Sequence, residues 1–409
     1  MNALLNPQLD QANDNFASSN SHLDIRHLVF DMCASHDLKA NGVYNVARQL
    51  AAEQRAVDED AGIVFLREQN REMPNEGDDI PMQVLVISGR KILGRRVSLD
   101  DAILSAMTAP SDKPVFFHIH AARQPLLMPV VLRLRKLGLP YAMTIHGRYA
   151  HVFDQNNEIK RRLPAIYLQT VERYILEGAR FVQGVSEAEC ALIKKIAPKA
   201  RVELVRNAAY SSHFEGEPKR PSRAVSEREH PKFGYLGRYE LEHKGLDLLV
   251  DGFAAYRSAG GQGTLELVGT GPAREEIISL AQEYGISDHV TADGPRFGDE
   301  KAKTLADWDY FVMPSRFEGV PIGALEAGLA GLPLIVSSET GLQDYVRMHD
   351  AGVGIEELTG KAIGEALLEA ESRFPADWSM MSDSAYDMAL AIGDWTKISE
   401  SLVKLYKVA

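Results

Sequence analysis

The sequence predicts an α/β protein built from two doubly wound parallel-sheet domains in tandem. Three observations carry this. Short β-rich runs alternate with amphipathic helical runs along nearly the whole chain. The strand candidates are continuously apolar rather than alternating, as in strands covered by helices on both faces. A stretch rich in proline and charge, GEPKRPSRAVSEREHP from Gly216, separates two such series.

Residues 1–22 are rich in Asn, Gln, Asp and Ser and read as a flexible tail. Residues 23–215 form the first domain, with strand candidates starting at Leu23 (LDIRHLVFDM), Ala61 (AGIVFL), Met82 (MQVLVIS), Pro114 (PVFFHIH), Pro140 (PYAMTIHG), Phe181 (FVQGVS) and Arg201 (RVELVRN). Helical stretches such as NVARQLAAEQRA and EAECALIKKIA lie between them, the latter opened by Ser186 as a cap. Residues 216–231 read as the linker. Residues 232–390 form the second domain, with strands predicted at Lys232 (KFGYLGR), Thr264 (TLELVGT), His289 (HVTADG), Tyr310 (YFVMPS) and Leu332 (LPLIVSS). In residues 391–409, Trp395, Ile398, Leu402 and Leu405 recur at helical spacing.

Composition bounds the class. The chain has 409 residues, 45% hydrophobic and 25% charged, enough for two or three globular domains. Two cysteines, Cys33 and Cys190, far apart in sequence, suit a reducing compartment and offer no thiolate metal cluster. No run of about 18 apolar residues predicts a membrane-spanning helix. The N-terminus lacks a basic region followed by an apolar core, so a secretory signal is not expected. A cytoplasmic location follows as an expectation. The net charge of −12 argues against a general nucleic-acid binder. Residues 1–214 hold 26 Lys+Arg and 24 Asp+Glu (+2), whereas residues 215–409 hold 19 and 33 (−14), so the halves are expected to face different partners.

The densest chemical signal runs from Tyr310 to Val346. A strand ends at Pro314-Ser315, a loop carries Glu318-Gly319, and a helix opens near Pro321 and carries Glu326. Carboxylates accept hydrogen bonds from sugar or ribose hydroxyls, and a helix N-terminus offers free N–H groups to phosphate. Each glutamate alone reads sooner as a solvated loop residue or a residue complementing the helix dipole; the surrounding pattern reverses that. A second strand-to-helix turn carries Gly237-Arg238 and Lys244-Gly245. Two cations there could cradle a diphosphate, at about 1.5–3 kcal/mol per charge-assisted hydrogen bond, or be surface charges.

Taken in order, Gly237-Arg238 with Lys244-Gly245, Leu267-Val268-Gly269-Thr270-Gly271-Pro272, Ser315 through Glu318-Gly319 to Glu326-Ala327, and Gly331-Leu332-Pro333 resemble the retaining glycosyltransferases of family 4, which have the GT-B fold. The resemblance runs from about Leu23 to the end and is strongest in the second half. It implies two Rossmann-like domains facing a cleft, with a nucleoside-diphosphate sugar held mainly by the second. On that reading Arg238 and Lys244 stabilise the leaving diphosphate, and no metal or other cofactor is expected. Glu318 contacts donor-sugar hydroxyls, and Glu326 holds the ribose. Backbone N–H groups at Gly319, Val320 and Ile322 bind sugar or phosphate, while Pro321 has none to offer. The base lies near Gly294, with Arg296 either stacked on it or a plain loop cation.

In the first half, the family's paired glycines are replaced by Asn41-Gly42, between the first strand and first helix. Asn tolerates a left-handed backbone, so a donor-phosphate contact there is retained as an expectation. His146, in Thr144-Ile145-His146-Gly147, matches the family pattern and is expected near the donor sugar. His118 and His120 share one strand face, without an evident third metal ligand. Asn207 stands where the family often has Pro-Asn-Gly. The family transfers with retention: the acceptor hydroxyl attacks on the face that the nucleotide leaves. The last helix is expected to pack back on the N-terminal domain.

The acceptor is open: a saccharide or a lipid-linked saccharide. Arg133, Arg135, Lys136, Lys160, Arg161, Arg162, Lys194, Lys195 and Lys199 would suit peripheral contact with an anionic membrane, or simply line helix surfaces. A dinucleotide-dependent oxidoreductase is disfavoured because no G-x-G-x-x-G follows the first strand. A nucleotide-sugar 2-epimerase and a non-catalytic sugar-nucleotide-binding scaffold remain the alternatives.

Overall fold

A computed structural model describes residues 22–30, 42–67, 80–92, 95–147, 149, 166–214 and 216–408. The N-terminal tail before His22, Cys33, Asn41 and Lys160-Arg161-Arg162, all read from sequence above, lie outside the described residues. The chain divides into two units: one takes in residues up to Arg206 together with Trp395–Ala409, and the other is Asn207–Asp394.

In the first unit the elements run β1 (Asp24–Phe30), α1 (Gly42–Ala56), β2 (Asp60–Arg67), β3 (Met82–Val86), α2 (Asp101–Met107), β4 (Val115–His120), α3 (Leu127–Lys136) and β5 (Tyr141–Thr144). A π-helical turn, Leu168–Glu172, leads into α4 (Arg173–Glu177), followed by β6 (Val182–Gly184), α5 (Glu187–Ile196) and β7 (Val202–Leu204). Among the described residues, the seven strands form one sheet in the order β3-β2-β1-β4-β5-β6-β7, every pairing parallel. Each coincides with a run anticipated from apolar content, β2 extending one residue beyond its run at either end. The helices bury the stripe their spacing foretells; α3 places Leu127, Val130, Val131 and Leu134 in the core, each contributing about 1.5–3 kcal/mol on full burial. Ser186 caps α5, its side chain accepting from the Glu189 N–H.

The second unit runs β8 (Lys232–Arg238), α6 (Leu241–Lys244), α7 (Leu246–Ser258), β9 (Thr264–Thr270), α8 (Arg274–Glu283), β10 (Val290–Asp293), α9 (Gly298–Asp307), β11 (Tyr310–Met313), α10 (Ile322–Leu329), β12 (Leu334–Ser337), α11 (Gln343–Met348), β13 (Gly352–Ile355), α12 (Gly360–Ser372) and α13 (Trp378–Ile392). Its parallel sheet has the order β10-β9-β8-β11-β12-β13. Strand β13 was not anticipated: its sequence, GVGI, has no apolar run. Gly352 is needed there, because its φ is +144° and a Cβ would lie 2.0 Å from the Leu334 carbonyl oxygen.

Residues 216–231, read as a linker, belong to the second unit and are fastened to it. The Arg223 guanidinium donates to the carbonyls of Leu305, Ala306, Trp308 and Ala330 and lies over the Trp378 ring. Arg220 pairs with Asp383 and Asp387, and Arg228 with Asp307. The charge that reads as linker composition is used to satisfy the carbonyls at the end of α9 and the acidic face of α13.

The last helix, α14 (Trp395–Lys407), returns to the first unit and packs on α1. It buries Trp395, Ser399, Leu402, Val403 and Tyr406. Lys407 pairs with the buried Glu59 at 2.5 Å, and Thr396 Oγ1 donates to Glu53 at 3.1 Å. Among the described residues, no helix is long and apolar enough to cross a membrane.

Candidate active site

In the second unit the strand order reverses between β8 and β11, which lie side by side. Loops leaving the carboxyl ends of two such strands diverge and leave a crevice, the usual ligand position in an open α/β sheet. Both motif segments sit there: Arg238 ends β8, and Ser315 to Glu318 follow β11.

Gly245 sets the approach of the two loops. It joins α6 to α7 with φ +65°, and a Cβ would lie 2.2 Å from the Pro314 carbonyl oxygen. The absence of a side chain lets the end of α6 close on the β11 loop, and Lys244 then forms an ion pair with Glu318. Arg316 locks the same junction. Its backbone N–H donates to the His243 carbonyl at 3.0 Å. Its guanidinium donates to the Leu241 carbonyl at 2.7 Å and to both oxygens of Asp247 at 2.7 and 2.6 Å. Glu318 is held from its other side by its N–H, which donates to the Glu339 carbonyl at 3.0 Å.

The electrostatics follow from burial. Burial, then the like charge of Arg238, pulls the Lys244 amine down to about 7. Arg238 is half exposed and donates to Glu240 at 2.7 Å. Glu240 is held below the usual carboxylate range by its hydrogen bond with His243 and by Arg238. Arg238 is a cation, and Lys244, at about 7, is completed as one when an anion approaches; the carboxylate partners of both are loop side chains, for which an anionic ligand can compete. The Ser315 hydroxyl, fully buried beside them, has no hydrogen-bond partner among the described residues.

Glu326 lies one turn into α10 and accepts from Lys301 on α9 at 2.7 Å. Gly319 and Val320 are buried ahead of the helix, Pro321 takes the cap position, and Ile322 opens the first turn. Asn207 Nδ2 donates to the Val320 carbonyl at 3.3 Å, so this position steadies the loop before α10. Gly294 follows β10, with no atom within 4 Å of where a Cβ would stand. Arg296 lies 3.5 Å from Asp293. The ends of β8, β9 and β10 are tied by Tyr239, whose buried hydroxyl sits 2.8 Å from the Leu267 carbonyl and 2.7 Å from that of Asp293.

Models of two families match the chain: "Glycosyl transferases group 1" over residues 230–372 and "Glycosyl transferase 4-like domain" over residues 41–208. The chain belongs to the group 1, family 4-like glycosyltransferases. It is 28% identical over 225 residues to the 2-deoxystreptamine glucosyltransferase of Streptomyces kanamyceticus, covering 53% of this chain and 57% of that protein. It is 28% identical over 214 residues to a GDP-mannose-dependent alpha-(1-6)-phosphatidylinositol monomannoside mannosyltransferase of Mycobacterium tuberculosis, covering 49% of this chain and 55% of that one. The match thus spans little more than half the length of either relative. The solved structure of Anabaena HepE in complex with UDP and glucose superposes with a TM-score of 0.68 at 14% identity, covering 93% of this chain and 98% of that chain. The two parallel sheets are those of the GT-B fold.

In this glycosyltransferase-family chain, Gly42 and His146 belong to the first unit. Gly42 is the exposed first residue of α1. His146 follows β5 with φ +55°, a conformation rare for a side chain of its size. The turn is fixed by Glu189, which accepts from the N–H of Gly147 at 2.7 Å and of Val185 at 2.8 Å. His146 Nε2 lies 3.1 Å from His120 Nδ1.

The sequence reading found no third histidine beside His118 and His120; the structure supplies His27, which stands directly across from His118 in the β1–β4 register. Parallel pairing of strands distant in sequence brings it there. Arg316, Glu240, Lys301 and Tyr239 were also missed as site-shaping residues. Arg316 sat inside the quoted motif, but nothing local to it announces its partner Asp247.

Of the basic residues read as a membrane patch, Arg135 lies over the Tyr174 ring and Lys194 donates to the Ala200 carbonyl at 2.6 Å. Both serve the fold of the first unit.

Proposed function

We propose that this chain moves a hexose-type sugar from a nucleoside-diphosphate sugar to an acceptor hydroxyl, with retention at the anomeric carbon and without a required metal ion. The single observation carrying this reading is the paired cations Arg238 and Lys244 with Glu318 at the switch point of the second unit's sheet. As the bond from anomeric carbon to phosphate oxygen breaks, negative charge grows on the diphosphate. Arg238 and Lys244 are fixed to meet it, the electrostatic role a metal ion can otherwise fill. Glu318, released from Lys244 by the incoming phosphate, accepts hydrogen bonds from sugar hydroxyls, and Glu326 does so from the ribose. The acceptor oxygen bonds to the anomeric carbon on the face the phosphate leaves, and the departing phosphate oxygen takes the acceptor's proton. The protein supplies positioning and charge.

Relatives named for 2-deoxystreptamine and for a phosphatidylinositol monomannoside favour a saccharide or glycolipid acceptor, in bacterial surface polysaccharide or glycolipid biosynthesis. Contact with an anionic membrane face belongs to the same reading, as does a cytoplasmic site of action where sugar nucleotides are available.

A thermal-shift panel of UDP, GDP and ADP, followed by the matching sugar nucleotides with and without chelator, tests it. One nucleotide should stabilise the chain, by about 2.7 kcal/mol at 100-fold excess over its Kd, and its sugar should be released slowly with retained configuration and no metal requirement. No shift with any nucleotide would overturn the donor site, and a shift without sugar release would favour the non-catalytic sugar-nucleotide-binding scaffold.

A further inference from the structure

In the first unit, polar side chains cross one face of an otherwise apolar sheet. They come from β1, β4, β5 and β6, with α1 and α14 above. His27, His118, His120, Thr144 and Gln183 are all buried, and so are Gln54 and Tyr406. Each hydrogen in this set has one direction available. Gln183 Nε2 donates to the Val205 carbonyl at 2.8 Å, which turns its Oε1 toward Thr144. Thr144 Oγ1 donates to that Oε1 at 2.8 Å. With its only hydrogen used, Thr144 accepts from His118 Nε2 at 2.7 Å. Burial and the neighbouring imidazoles hold His118 neutral, so its Nδ1 accepts, and the Tyr406 hydroxyl donates to it at 2.6 Å. The Tyr406 oxygen then accepts from Gln54 Nε2 at 3.5 Å. That turns Gln54 Oε1 to His27 Nε2, which donates at 2.8 Å. His27, pushed by burial to about 4, is neutral; its Nδ1 accepts from His120 Nε2 at 2.8 Å. His120 is neutral for the same reason, and its Nδ1 faces His146 Nε2 at 3.1 Å.

We infer that these side chains form a one-way hydrogen-bond relay, anchored on the Val205 carbonyl, that fixes the His146 imidazole as its Nε2–H tautomer with the lone pair on Nδ1. A histidine's tautomer is set by the bond its other nitrogen makes, and here that bond is decided seven side chains away. His27, His118 and His120 lie close enough to suggest a metal site, but all six of their ring nitrogens already have partners, so an ion would break the bonds that use their three lone pairs. The relay makes His120, His27, Gln54 and Tyr406 positioning residues. A hydroxyl that meets His146 Nδ1 has to donate. That consequence rests on the transferase reading; the tautomer does not.

The test is long-range proton–nitrogen correlation spectroscopy on the full chain with 15N-labelled histidine at about pH 8, where free imidazole is neutral. The His146 signals are identified by their loss in His146→Asn. The expected result is a single tautomer, protonated at Nε2, that becomes mixed in His27→Phe. Tyr406→Phe, which removes one hydroxyl, should also loosen it and keeps the test usable where His27→Phe fails to fold. A wild-type His146 protonated at Nδ1, a His146 tautomer unchanged in both variants, or a stoichiometric metal ion bound by the three buried histidines would each overturn the relay. A correct tautomer in a chain without transfer activity would uphold the relay and remove only the transferase reading.

Discussion

Gly245→Ala should separate the two loops of the candidate active site, and the structure sets the size of the effect. Its φ of +65° costs any L-residue about 1–2 kcal/mol. A Cβ there would lie 2.2 Å from the Pro314 carbonyl oxygen, against about 3.3 Å for a close carbon–oxygen contact. The β11 loop must therefore retreat by roughly 1 Å, an overpacking that costs about 1–3 kcal/mol. The sum is about 2–5 kcal/mol, or roughly 4–20 °C in Tm for a unit of this size. Gly285→Ala is the control: φ is +68°, with no atom within 4 Å, so it carries only the backbone cost. Urea titrations followed by the fluorescence of Trp308 and Trp378, both fully buried in this unit, should place the Gly245→Ala midpoint clearly below that of Gly285→Ala. Calorimetry should show weaker nucleotide binding for Gly245→Ala alone, because Lys244 is displaced from the crevice between β8 and β11. Equal midpoints in the two variants would refute the close approach.

Stability should also fall with acid. The folded chain keeps His27, His118 and His120 neutral, while the unfolded chain protonates them below about 6.5. Protons therefore favour the unfolded state, and stability should drop as pH goes from about 6.5 toward 4, by up to about 1.4 kcal/mol per unit for each imidazole. Denaturant midpoints measured across that range check this, and a flat profile would contradict the buried neutral cluster. Lys244→Met and Arg238→Ala should each lower turnover by roughly 100-fold or more, the scale of losing one electrostatic stabiliser; near-wild-type initial rates in both would remove their assigned role. Arg223→Ala should destabilise the second unit by about 3 kcal/mol, since several carbonyls lose a shared donor. A change in thermal midpoint no larger than that of an exposed control such as Lys361→Ala would show that the 216–231 segment is not held through that residue.

What was legible locally has a local cause. Every anticipated strand corresponds to a strand in the structure, because a continuous apolar run can be satisfied only between two helical layers. Ser186 was legible as a cap because an N-cap bond spans only three residues. Strand β13 was missed because GVGI takes its place from a close backbone approach to Leu334, not from apolar content. The segment at 216–231 looked like a linker because its charges pair with groups on α9 and α13, far from it in sequence.

The candidate site divides in the same way. Sequence by itself determined the family, the two parallel sheets and the presence of Arg238, Lys244, Glu318 and Glu326 on the strand-to-helix segments that begin at the ends of β8 and β11, since strand, turn and helix starts are written in consecutive residues. Only the tertiary structure decided that Lys244 meets Glu318, that Arg316 and Gly245 clamp their loops together, and that His27 joins the histidines of β4. Those pairings are made by strand order and register. Each depends on which strand lies beside which, and that is settled by the packing of the whole core rather than by any window of the chain.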